Sequence, residues 1–300
     1  MLHVGPSLRE EVKSDEDPSN LSEAENIACL PPPRYGQQHH ADGSQQGGRL
    51  LLHEHAPTQQ ARRYQPVQRN KGHELGCQPR SMEGPYVQRT VPPRKGVHDR
   101  MPIAFLDRDG VINKGKPGYV NGPEEVHLLE GAASVIGDLN RAGYLVCVVT
   151  NQSPISRGLW GPDTLQSIHE ALQALLLSED AMAHVDLFLT CPHRFEDRCP
   201  CRKPSPGMLL LGHRLLREPS ANGVDWKPRL HPIEHPEVDW WAASPAAPHE
   251  LDLMVGDRRS DMGAGWAFGA RLFRVHAAVG LQAVGPRLVN EDDQGDGFQP

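Results

Sequence analysis

From Pro102 onward, short apolar runs alternate with stretches in which apolar residues recur every three or four positions, and the hundred residues before it show neither pattern. Ile103–Leu106, Tyr144–Val149, Val185–Thr190, Leu251–Val255 and Leu272–Val275 read as strands. Between them, Ala132, Val135, Ile136 and Leu139 share one face of a helix predicted over Gly131–Arg141, which Gly143 is placed to end. Leu165, Ile168, Leu172 and Leu175 repeat that spacing after Gly161-Pro162-Asp163. Pro206 suits the first turn of a third helix bearing Met208, Leu211 and Leu215, and a small-residue helix follows Val255. Strands alternating with helices predict an α/β fold, a doubly wound parallel sheet covered on both faces.

Residues 1–100 are expected to be a disordered, low-complexity extension, with Pro31-Pro32-Pro33 and a polar run from Gln37 to Gly48. Ser7-Leu8-Arg9-Glu10 fits a capping box, yet a helix with so little apolar face is marginal alone. His39, His40, His53 and His55 read as solvated side chains in a polar segment. The folded domain is expected over 101–277, with a Pro-, His- and Trp-rich insertion at about 218–250 and a tail at 278–300. That insertion, which holds Trp226, Trp240 and Trp241, reads as an irregular loop packing its own aromatics; capping of the site or binding of a partner by its Trp pair is the alternative.

Composition agrees with this division. All six Phe and all five Trp lie beyond residue 101, so the core must come from the later two-thirds of a chain whose mean hydropathy is only −0.53. A net charge of −7 argues against a nucleic-acid partner. No apolar run reaches the roughly 18 residues of a membrane span, and Met1–Asp17 has acidic residues where a secretory leader would be apolar. The expectation is a cytoplasmic monomer acting on a small molecule, with neither membrane nor nucleic acid involved.

In a doubly wound sheet, ligands bind beyond the carboxyl ends of the strands. The first strand ends in Asp107-Arg108-Asp109-Gly110, two carboxylates that suit a metal-bound nucleophile and an acid/base, although an ordinary acidic turn fits the same residues. The second ends in Thr150-Asn151-Gln152-Ser153, polar groups for a phosphoryl oxygen or simply a satisfied turn. Arg202-Lys203 precedes the third helix, as anion contacts or a solvated basic pair. Asp257 follows the fourth strand, where it could complete an oxygen-rich Mg²⁺ site, and Ser260 or Asp261 could equally cap a helix. Cys191, His193, Cys199 and Cys201 form the Cys₃His set of a tetrahedral structural Zn²⁺ site, expected to order its loop and aim Arg202 and Lys203. Cys147 reads as a buried strand residue, and Cys29 and Cys77 have no partner pattern.

Taken in order, these clusters resemble the haloacid-dehalogenase phosphatase superfamily over Ile103–Val275: the DxDG of Asp107–Gly110, the hydroxyl of Thr150, the amine of Lys203 and the GDxxxD of Gly256–Asp261. The resemblance implies a Rossmann-like fold in which Asp107 is the nucleophile and Asp109 the acid/base. It places Mg²⁺ on Asp107, the Asp109 carbonyl and Asp257, and has Thr150 and Lys203 stabilise the phosphoryl group. A zinc loop directly before Cys-Arg-Lys-Pro is similar to the subgroup of heptose-bisphosphate and histidinol-phosphate phosphatases. Gly118-Tyr119-Val120, and Thr150–Ser153 followed by Arg157-Gly158, look like the heptose-bisphosphate enzymes. That likeness implies substrate contacts from Gly118, Tyr119, Asn151, Gln152, Ser153, Arg202 and Arg258, with Arg202 on the second phosphate of the sugar. Pro154 stands where that family usually has Gly, and it offers no N–H. Histidinol-phosphate hydrolysis, 3'-end phosphatase activity on nucleic acid and a zinc-stabilised binding module without catalysis stay open as alternatives.

Overall fold

The computed structural model of the protein describes residues 84–89, 100–217 and 226–300. Apolar runs too short to be helices become the middle of one sheet. β2 (Ile103–Leu106), β3 (Leu145–Asn151), β4 (Leu187–Cys191), β6 (Leu253–Gly256) and β7 (Arg271–Arg274) run parallel, and two further strands, β1 (Tyr86–Arg89) and β5 (Arg229–Leu230), add antiparallel at one edge. The order across the sheet is β5-β1-β4-β3-β2-β6-β7.

Because successive side chains point to opposite faces, each continuous apolar run feeds two cores. Ala104, Leu106, Val146, Val148 and Phe188 pack on one side with Ile136 and Leu139 of α1 (Ala132–Arg141) and with Ile168 and Leu172 of α2 (Pro162–Glu179). Ile103, Phe105, Cys147, Leu189 and Met254 pack on the other side with α3 (Gly207–Arg217) and α4 (Arg259–Phe268). α3 sits so close to the sheet that a Cβ on Gly212 would lie 3.0–3.2 Å from Phe105, Cys147 and Leu189. Among the described residues no helix is long and apolar enough to cross a membrane.

Two of the expected boundaries are corrected. Tyr86–Arg89, assigned above to a disordered extension, is a strand whose register on β4 sets Gln88 opposite Phe188, with Val87 and Gln88 buried. Four residues with one apolar side chain carry no periodicity of their own, and their order comes from pairing with the edge of β4. Residues 1–83, including the capping box and the early His pairs, lie outside the described residues. The segment 278–300 is likewise no free tail. Leu281, Val284 and Leu288 are buried in the first core, from a 3₁₀ turn (Gly280–Ala283) and α5 (Gly285–Leu288). Beyond them Arg287 pairs with Asp293 and Asp296, and Gly295 bridges back to Leu272.

Of the 218–250 insertion, residues 226–250 are described, and two of their three Trp pack on the domain and not on one another. Trp226 meets Phe188 edge-on, Trp240 stacks on Trp266 at 5.7 Å, and Trp241 is 97% exposed.

Candidate active site

Each polar cluster noted at a strand end reaches the same cleft, of about 690 Å³, at the carboxyl edge of the sheet. Asp107 continues β2, its N–H donating to Val255 O of β6 at 3.0 Å. Thr150 and Asn151 close β3, and Asp257 follows β6. Gly110, at φ 84°, turns the chain away, and a Cβ there would come to 3.0 Å from Asp257 Oδ2. Only glycine leaves that oxygen its space.

Lys203 is the hub. Its Nζ donates to Asp107 Oδ1, Asp261 Oδ1 and Val149 O, each at 2.7 Å, which uses all three ammonium protons. The backbone there is held by Asn151, whose amide donates to Lys203 O and accepts from Lys203 N, both at 3.2 Å. Asp261 is fixed in turn by the Arg258 N–H, which donates to its Oδ2 at 2.9 Å across the first turn of α4. Gly256 makes room for it, because a Cβ there would fall 2.1 Å from Asp261 Cβ.

Burial pushes the Asp107 carboxyl up to about 7, with Asp261 and Asp109 adding to the rise and Lys203 opposing it. Burial by itself would depress Lys203, but Asp107 and Asp261 more than offset it and the ammonium is held above its usual range. Asp257 is also raised, first by burial and then by Asp261. Asp109 moves the opposite way. Burial works against its ionised form, yet Arg108 and hydrogen bonds from Arg108, Asn113 and Gln152 hold it below the usual carboxylate range.

Carboxylate oxygens of Asp107, Asp257 and Asp261 lie within 4.8 Å of one another, and Asp257 Oδ1 is buried with no hydrogen-bond partner. Crowded carboxylates, with Asp107 and Asp257 raised, and an orphaned oxygen fit a hard divalent cation. The Asp109 carboxylate is not in this group. It accepts from Arg108 Nε and Nη2, Asn113 Nδ2 and Gln152 Nε2.

Beside the cleft, Cys191 Sγ, His193 Nδ1, Cys199 Sγ and Cys201 Sγ converge. Sulfur–sulfur separations are 3.3–3.5 Å and sulfur–nitrogen separations 3.2–3.6 Å. A tetrahedron with Zn–S bonds of about 2.3 Å has edges of about 3.8 Å, so the four atoms lie close to that shape. Burial pushes the Cys191 thiol up to about 12, and a bound cation is what would keep such a sulfur ionised. The loop is tied to the cleft by Arg202, whose Nη1 donates to His193 O at 2.8 Å.

Of the residues expected to meet substrate, Tyr119, Asn151, Gln152, Arg202 and Arg258 line the cleft with Thr150. Gly118 and Ser153 are not among its lining residues. Gly118 supplies a left-handed turn at φ 81°, and the Ser153 hydroxyl lies 3.4 Å from the Tyr119 hydroxyl. Pro154 is buried outside the cleft, where its carbonyl accepts from the N–H groups of Arg157 and Leu159, so its missing N–H is not taken from the cleft wall. Lys116, Phe195, His276 and above all Asp261 also line the cleft and were not singled out as site residues. For Asp261 the GDxxxD spacing was the available signal. The others lie in loops whose sequence carries none.

No protein-family model matches the chain. Among curated proteins, a D-glycero-beta-D-manno-heptose-1,7-bisphosphate 7-phosphatase from Pseudomonas putida is 41% identical over 109 residues, 36% of this chain and 61% of that protein. A D-glycero-alpha-D-manno-heptose-1,7-bisphosphate 7-phosphatase from Mycobacterium bovis is 35% identical over 159 residues, 53% of this chain and 68% of that protein. The chain thus spans about three-fifths of the Pseudomonas relative's length and two-thirds of the mycobacterial one's. Among solved structures, that of a HAD-like phosphatase from Mesorhizobium loti superposes with a TM-score of 0.50 at 26% identity, covering 72% of this chain and 96% of that one.

Proposed function

The chain belongs to the heptose-bisphosphate 7-phosphatase family of haloacid-dehalogenase-type phosphatases, and we propose that it hydrolyses the 7-phosphate of D-glycero-D-manno-heptose 1,7-bisphosphate through a phosphorylated Asp107. The observation that carries this reading is the Lys203 ammonium, held 2.7 Å from both Asp107 and Asp261 at the floor of the cleft. A carboxylate so placed can attack phosphorus while the ammonium neutralises a phosphoryl oxygen. Thr150, at the end of β3, supports the same oxygens.

Mg²⁺ would be held by Asp107, Asp257 and the Asp109 carbonyl; when bound, it supplies charge neutralisation between the attacking carboxylate and the phosphate. Asp109, held ionised by Arg108, takes up a proton when the anionic phosphate binds beside it, passes that proton to the departing sugar oxygen and then takes one from the water that hydrolyses the aspartyl phosphate. Arg202, anchored on His193 O, takes the second phosphate of the bisphosphate, and Arg258, with its side chain 73% exposed, reaches the same mouth. The Cys₃His cluster would hold Zn²⁺ with four protein ligands, leaving it no chemical step and the task of fixing the loop that carries Arg202.

The test is phosphate release from both anomers of the heptose bisphosphate, because relatives named for each anomer occur. Activity on either anomer that is lost in Asp107→Asn supports the reading. Inactivity of the unaltered protein on both anomers, in the presence of Mg²⁺, overturns it.

A further inference from the structure

Among the described residues Arg108, which stands in sequence between the proposed nucleophile and the proposed acid/base, heads the fully buried side chains by size. A guanidinium at that depth needs acceptors. Asp109 provides two, with Arg108 Nε at 3.2 Å from Oδ1 and Nη2 at 2.9 Å from Oδ2. Arg108 Nη1 lies 3.5 Å from Nε2 of His169, on α2. Arginine has no lone pair to offer, so Nε2 must accept, and the imidazole carries its proton on Nδ1. That proton has an acceptor: Gln88 Oε1, on β1, stands 2.6 Å away. Phe188 stacks on the ring at 4.2 Å and 16°. Burial first, and the Arg108 charge second, keep His169 far below its ordinary pKa, in agreement with a neutral ring. Gln88, His169 and Arg108 are each at most 1% exposed.

We propose that Gln88, His169 and Arg108 are positioning residues, a buried relay from β1 through α2 that fixes the plane of the Asp109 carboxylate. The proposal rests on the reading of Asp109 as the group that protonates the leaving oxygen. Asn113 Nδ2, 2.9 Å from Oδ1, and Gln152 Nε2, 2.7 Å from Oδ2, complete the setting. Each oxygen then has one donor from Arg108 and one from elsewhere. Loss of the relay frees Arg108 to shift and the carboxylate to turn, and misplacement of about 1 Å at a reacting group can cost up to about 100-fold in rate.

A leaving-group comparison tests the relay. Simple alkyl phosphates need a proton on the departing oxygen, whereas p-nitrophenyl phosphate releases a stable phenolate unaided. kcat/KM reports steps only through that departure. Gln88→Met and His169→Leu should lower kcat/KM for the alkyl ester by about tenfold or more and for the aryl ester by less than about twofold. His169→Gln, which returns an acceptor to Arg108, should recover much of the loss. Equal losses on the two esters, or none, overturn the relay. Asp109→Asn run alongside separates the two readings. If it shows no leaving-group difference, its proposed acid role falls; if it does while the relay variants do not, the relay alone falls. Where His169→Leu gives no folded protein, the near-isosteric Gln88→Met decides by itself.

Discussion

Two groups of potential metal ligands flank Arg202 and Lys203, and they are built differently. The Cys₃His group offers four donor atoms within 4.8 Å of one another, its three sulfurs buried. The carboxylate group offers three residues, of which Asp261 is already engaged by Lys203 and by the Arg258 N–H, while Asp257 keeps a buried oxygen without a partner. It also opens on the cleft. A filled shell holds a loop still, and an open one leaves a coordination position for substrate. On the reading proposed above, one site is architectural and the other carries the reaction, and the contrast can be broken by measurements that act on one at a time.

The largest effect should come from Lys203→Met. Removing a donor aimed at developing charge costs on the order of 10³ in kcat, and the variant also leaves Asp107 and Asp261 facing each other without their cation. Phosphate-release kinetics check it, and retention of activity within about tenfold would remove the carboxylate group as the reaction centre. Next comes Cys201→Ser, which should abolish stoichiometric zinc and lower the unfolding midpoint by about 10 °C, corresponding to about 3 kcal/mol lost from a domain of this size. Metal analysis and calorimetry read both outcomes. Stripping Mg²⁺ should do the reverse, stopping turnover while moving the midpoint by about 2 °C or less. If the two treatments gave the same pattern, the distinction between closed and open sites would fail.

Much of this arrangement is legible in the sequence, and the rest is hidden for identifiable reasons. The five parallel strands announce themselves because both faces are buried, so Ile103–Leu106 or Leu187–Leu189 reads as an unbroken apolar run. The site follows from the sheet, since Asp107, Thr150 and Asp257 are the residues at or next to strand ends. β1 is hidden because one buried Val and a buried Gln make no pattern without the partner edge. The segment after Val275 is hidden because Leu281, Val284 and Leu288 repeat only once among glycines. Asp261 is visible but ambiguous: helix-capping chemistry and the Lys203 ion pair use the same carboxylate, and the sequence shows only the first.

The smallest expected effect concerns acid, and it assigns acid sensitivity to one side of the comparison. His169 stands behind the open site, and metal binding at the closed one requires deprotonated ligands, so acid can act on either side. His169 is held neutral by burial and by Arg108, with its folded pKa well below the unfolded value near 6.5. Below pH about 6.5 the unfolded chain binds a proton that the folded one refuses. The stability from this residue is therefore fully present above that pH and declines as pH falls toward the folded pKa. Urea titrations from pH 7.5 down to about 5.5 should show that decline in the unaltered protein and a flatter profile in His169→Gln, with zinc content followed in the same samples. If zinc stays bound while stability falls, the loss belongs to the buried relay behind Asp109. If the decline follows zinc release and is the same in His169→Gln, the closed site is the acid-sensitive one and its role as the rigid partner does not hold.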